Sequence, residues 1–155
     1  MTRFSAALRT ILITLWVGSL WTVGYVVAPT LFATLSDSVL AGTIAGKLFR
    51  VEAWLSISLG LLVVGLIGQT MADKTVKKSA IQLALAMLGC TVVGYFCLQP
   101  FMAALRAAAP SGMLVGSARM QFGMLHGVAS GLYLVQSVLG VFLILKLSSY
   151  AGRSA

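Results

Sequence analysis

The chain has 155 residues, 59% of them hydrophobic and only 9% charged, with a mean hydropathy of +1.01. That leaves too little polar surface to solubilise a globular domain, and room for one compact helical bundle spanning residues 1–155 as a single transmembrane domain. The net charge of +8 arises from 11 Lys and Arg lying in the short gaps between apolar runs; this placement suits lipid headgroups and topology signals, and no basic stripe interleaved with aromatics argues for nucleic acid.

Four stretches carry no charged side chain: residues 10–36, 53–72, 79–105 and 120–145. Each reaches or exceeds the ~20 helical residues that match a hydrocarbon core of about 30 Å. The expected fold is all-α: a four-transmembrane-helix bundle with spans at about 8–28, 53–71, 79–98 and 122–145, and an amphipathic interfacial helix between spans 1 and 2.

Arg3 and Arg9 before the first apolar run imitate a secretory signal, but the run is too long for one and Pro29 stands where cleavage would fall, so a retained first span is expected. That span should end at Pro29, because proline lacks an amide and disfavours helix before it. Ser36 and Asp37 are N-cap residues for the next helix. There Leu40, Ile44, Leu48, Val51 and Leu55 recur at helical spacing with Lys47 and Arg50 off the stripe, an amphipathic pattern that runs into span 2 near Ala53. The short turn Asp73–Lys78 makes spans 2 and 3 antiparallel neighbours. Span 3 should end at Gln99-Pro100, and residues 101–121 connect it to span 4 through a break at Pro110-Ser111-Gly112. No internal repeat stands out.

One side of the membrane receives Arg3, Arg9, Lys74, Lys77, Lys78, Lys146 and Arg153; the other receives Lys47, Arg50, Arg106 and Arg119. The positive-inside rule then places both termini in the cytoplasm of a cell with this protein in its inner membrane.

In lipid, small residues mark helix faces that meet other helices. Gly123, Gly127 and Gly131 form a ladder in span 4, with His126, Ser130, Tyr133 and Ser137 beside it, and this face is expected to look into the bundle. Gly18, Gly60 and Gly94 play the same packing role in spans 1 to 3. His126 is the one ionisable group within a span, and such groups are candidate sites because an unpaired charge in hydrocarbon costs several kcal/mol. Glu52, Gln99, Arg119 and Ser130 fall at the same end, so a polar cluster around His126, with a Glu52–His126 contact, is expected at the non-cytoplasmic mouth.

The chemistry offered is sparse. Of three acidic residues only Asp37 and Glu52 fall on the outer side, which gives little material for acid–base hydrolysis, and a single histidine excludes bis-histidine haem within one chain. Cys90 and Cys97 are seven positions apart, about 10 Å along a helix, too far for a disulfide. They are weak candidates for handing on soft metal ions; packing is the ordinary role of Cys and Met in an apolar helix. The expectation is no cofactor, no enzyme activity, and partners limited to the bilayer, a homo-oligomer or other membrane proteins.

Two stretches resemble the transmembrane-protein-205-like family: Leu20-Trp21-Thr22-Val23-Gly24 through Pro29-Thr30-Leu31-Phe32 with Ala41-Gly42 and Gly46-Lys47-Leu48-Phe49, and Arg119-Met120-Gln121-Phe122 with Leu125-His126-Gly127-Val128-Ala129-Ser130. Leu98-Gln99-Pro100 is similar to a Leu-Glu-Pro step in that family, with Gln in place of Glu. The resemblance implies a four-span membrane protein of unsettled activity. The residues themselves fit an accessory or scaffold subunit, or alternatively a small transporter or channel for a solute or soft metal compound.

Overall fold

The computed structural model describes residues 3–109 and 113–153, so the expected break at Pro110-Ser111-Gly112 lies outside the described residues. Every described element is helical: α1 (Arg3–Trp21), a π-helical turn (Thr22–Val27), α2 (Ala28–Thr34), α3 (Ser38–Thr70), α4 (Lys74–Val92), a second π-helical turn (Val93–Leu98), α5 (Gln99–Ala107) and α6 (Gly116–Arg153). They make four spans, Phe4–Thr34, Ser38–Thr70, Lys74–Ala107 and Gly116–Tyr150, each long and apolar enough to cross a membrane. At about 1.5 Å per residue they reach roughly 45–53 Å, well beyond a ~30 Å hydrocarbon core.

Two aspartates start the central helices. The Asp37 carboxylate accepts from the amides of Val39 (2.8 Å) and Leu40 (3.1 Å), and that of Asp73 from Thr75 (2.9 Å) and Val76 (3.0 Å). Each satisfies two amides that lack an intrahelical partner. Between Thr70 and Lys74 only three residues intervene, so α3 and α4 pack antiparallel. The amphipathic stretch is helical and runs unbroken into span 2 as the start of α3. Its inward residues are the small Ala41, Gly42 and Ala45, while Leu40 and Val51 are exposed.

Neither proline ends its helix, contrary to expectation. The chain widens into a π turn just before each one: the Ala28 amide donates to the Val23 carbonyl, and that of Gln99 to Gly94, five residues back instead of four. The wider turn takes up the proline ring and its missing donor, so helix resumes through Pro29 to Thr34 and through Pro100 to Ala107. The fourth helix also exceeds its expected limits of Phe122 and Leu145, starting at Gly116 with φ +56°, a left-handed conformation that favours glycine.

The four spans form a ring in which α1 packs on α3, α3 on α4, α4 on α6 and α6 on α1. The half near the α3–α4 turn is solid, filled by Ile13, Trp16, Val17, Val63, Ile67, Met71, Ala80, Ala84, Met87, Leu143 and Leu147. Arg9, expected as a topology charge, is buried at this end with Nη1 3.4 Å from the Thr70 hydroxyl, and Lys77 Nζ donates to the Gly68 carbonyl.

The ring hides a repeat. The π turns Thr22–Val27 and Val93–Leu98 lie 71 positions apart, as do Pro29 and Pro100. The buried residues Arg9, Ile13, Trp16, Val17 and Leu20 correspond at the same offset to Ala80, Ala84, Met87, Leu88 and Thr91. On the return helices Ser56, Gly60, Val63 and Ile67 correspond to Gln136, Gly140, Leu143 and Leu147, 80 positions later. Exchanging α1 with α4 and α3 with α6 preserves every neighbour, and with the matched positions this fits an approximate twofold rotation along the bundle axis, a symmetry met in membrane proteins built from parallel repeats.

Candidate functional site

Beyond the π turns the ring opens. Here α2 packs on α3 and α5 on α6, leaving a cavity of about 560 Å³ between the two pairs. Its walls are mainly apolar and aromatic, with Tyr25, Phe32, Phe49, Tyr95 and Tyr133 among them, and Gly24, Gly42, Gly46 and Gly94 keep it wide. The π turns supply part of this lining, which accords with the frequent use of such turns at functional sites.

Several polar groups on the walls are tied to neighbouring helices. Glu52 is buried, and its Oε1 accepts from the hydroxyls of Ser19 (3.3 Å) and Ser56 (3.1 Å). Tyr133 donates to the Leu20 carbonyl at 2.5 Å and meets the rings of Phe49 and Tyr25 edge-on. Gln136 donates through Nε2 to the Thr91 hydroxyl (2.9 Å), and Tyr25 donates to Ser137 (2.9 Å). These bonds add polar ties between α1 and α6 and between α4 and α6, helices that also pack on each other. A Cβ on Gly24 would stand 2.2 Å from Tyr133 Cε1, so only glycine lets that ring lie against the π turn.

The expected polar cluster is partly assembled. Glu52, Gln99, His126 and Ser130 all line this cavity, whereas Arg119 is exposed and outside its lining. His126 stacks on Phe122 (centroids 6.0 Å apart), and Glu52 takes its bonds from serines, so the anticipated Glu52–His126 contact is replaced by separate partners. Arg106, absent from the expected cluster, lines the cavity with its Cζ 4.6 Å above the Phe122 ring. The signal was present: Arg106 follows Gln99 by seven residues, two turns along one helix face.

The glycine ladder does not look into the bundle. Gly123, Gly127 and Gly131 are exposed, and a Cβ on any of them would meet nothing within 4 Å. The inward face of α6 instead runs through Gln136, Gly140, Leu143 and Leu147; Gly131 and Gly140 are nine residues apart, half a revolution at ~100° per residue. Gly18 and Gly94 likewise have open space, while a Cβ on Gly60 would press on Leu88 (2.6 Å) and Trp16 (2.9 Å). Cys90, half-buried on the cavity wall, and the exposed Cys97 are free thiols. Among the described residues no group of three or more His, Cys, Asp or Glu comes together to hold a metal ion.

Four apolar spans around a cavity define an all-helical integral membrane protein. A family model described as Domain of unknown function (DUF4149) matches residues 11–111, and the chain belongs to that family. No curated protein and no solved structure matches the chain.

Proposed function

We propose that the chain binds a small organic molecule inside the membrane, in the cavity between its two helix pairs, and serves as a minor carrier or as the binding subunit of a membrane complex. One observation carries this reading: a largely apolar space of about 560 Å³ with a few convergent polar groups, within the ~300–1,000 Å³ typical of small-molecule sites. Binding rather than catalysis fits the inventory, since the walls offer a single carboxylate, Glu52, already engaged by two serines. The accessory-subunit reading draws support from the outward Gly123, Gly127 and Gly131, a small-xxx-small ladder suited to a second copy or another membrane helix. A bacterial inner-membrane setting with both termini in the cytoplasm follows the excess of Lys and Arg at that end. The finer kinship with the transmembrane-protein-205-like family belongs to the same proposal, because its closing motif at Phe122–Ser130 lies beyond the matched residues 11–111.

Cys90 gives a direct test. In a Cys97→Ser protein in nanodiscs of bacterial polar lipid, Cys90 should react with a small soluble maleimide, and Gly46→Leu, which fills the cavity, should slow that reaction several-fold. Native mass spectrometry should show a bound molecule of a few hundred daltons that Gly46→Leu loses. An unreactive Cys90 together with no retained molecule would refute the reading.

A further inference from the structure

Arg106 is poorly explained as a structural residue. Among the described residues its guanidinium takes part in neither an ion pair nor a hydrogen bond; its one contact of note is with the Phe122 ring. A cation–π contact covers one face of the planar group and leaves its N–H donors, which lie in the plane, free at the edge. That edge sits beside two glycines of α3: a Cβ at Gly42 would lie 3.6 Å from Nη2, and one at Gly46 would lie 3.8 Å from Nη1. The Gln99 amide nitrogen stands 3.8 Å from the same Gly46 position and likewise has no hydrogen-bond partner among the described residues. Two unsatisfied donor groups thus converge on one gap kept open by glycines. Both residues are partly buried, and a guanidinium on a largely apolar wall gains when an anion completes its donors.

Neither carboxylate flanking these glycines completes it. Asp37, five residues before Gly42, accepts from the amides of Val39 and Leu40, and Glu52, six residues after Gly46 and about 9 Å along the helix, is bonded to Ser19 and Ser56. The cavity is therefore polarised, with free cationic donors in the last turn of α5 and a carboxylate deeper in. Phe32, Phe49 and Tyr133 line the space they share. An occupant matching both features has an oxyanion at the Arg106 end and an apolar body lying inward, the orientation an amphiphile already has in a leaflet.

Resting on the small-molecule reading above, we infer that the cavity takes an amphiphilic oxyanion, its carboxylate or phosphate bound edge-on by Arg106 and Gln99. The fork geometry of arginine suits such two-point recognition. The anion comes either from a bilayer lipid headgroup or from a free acid partitioned into the membrane.

The test uses the full chain in phosphatidylcholine nanodiscs, with thermal stability and Cys90 alkylation in the Cys97→Ser background as readouts. Dodecanoate should stabilise the protein and protect Cys90 at a concentration about tenfold or more below that required of dodecanol, its uncharged counterpart, as expected for a charge-assisted bidentate contact. Arg106→Gln should abolish that preference, and Arg106→Lys should keep part of it. If a lipid headgroup is the source, replacing part of the phosphatidylcholine by phosphatidylglycerol will stabilise the parent and compete with dodecanoate; if a free acid is the source, it will do neither. Equal potency of dodecanoate and dodecanol in the parent overturns the oxyanion and leaves the cavity reading standing. No effect of either ligand overturns both.

Discussion

Gly24→Ala tests whether the π turn and the Tyr133 ring fit together as described. A Cβ at Gly24 would fall 2.2 Å from Cε1, 2.9 Å from Cζ and 3.0 Å from the hydroxyl oxygen of Tyr133, closer than carbon atoms pack. The ring has to move, which costs ~1–3 kcal/mol as overpacking. Displacement also forfeits the 2.5 Å bond from its hydroxyl to the Leu20 carbonyl, a contact worth ~0.6–1.7 kcal/mol inside a membrane protein. Against this stands a gain of up to ~1 kcal/mol from replacing glycine within a helix. The expected net loss is roughly 1–4 kcal/mol, read from denaturant unfolding in micelles followed by circular dichroism. In a Tyr133→Ala background the obstacle is gone, and the same substitution should be neutral or stabilising by up to ~1 kcal/mol. Equal effects of Gly24→Ala in the two backgrounds would refute the close approach, and with it this account of the cavity wall.

Gly60→Ala should lower stability by roughly 1–2 kcal/mol because Leu88 and the buried Trp16 leave no room, while Gly131→Ala should cost nothing within a single chain; a melting series of both variants decides. Bulky replacement of Gly127 and Gly131 by Leu should leave monomer stability intact and reduce the oligomer mass in light scattering, if the ladder seats a second helix. Gln136→Leu should cost about 0.5–1.5 kcal/mol by removing the bond to Thr91 between α4 and α6, measurable by the same unfolding assay. Thr91→Val combined with Gln136→Leu should cost little more than Gln136→Leu alone, since the two groups share one bond.

The four spans were legible because lipid imposes a plain rule: a long run without charge has to be helix. Asp37 was legible as a cap for a local reason, its carboxylate reaching amides two and three residues on. Continuation through Pro29 and Pro100 was not, because the repair lies in a changed hydrogen-bond register that no residue type announces. Two cues were nonetheless present, Val23-Gly24-Tyr25 before the first proline and Val93-Gly94-Tyr95 before the second. The outward glycine ladder misled for a different reason. Small residues permit close approach but do not say to which partner, and the bundle satisfies α6 through Gln136 and Gly140 instead. Topology alone places Glu52, Gln99 and His126 at one end, whereas Arg106 sits in an Ala-rich stretch that reads as a connection.

The paired architecture carries a consequence for recognition. A cradle with near-twofold walls would accept a guest in two orientations related by that rotation. The chemistry is not shared in this way: Gln99 and Arg106 stand where the first half has Ala28 and Leu35, and the deep carboxylate sits on the first return helix alone. A guest that matches these groups in one pose meets aliphatic chain in the other. The paired scaffold thus carries a single polarity, set by residues that one half has and the other lacks.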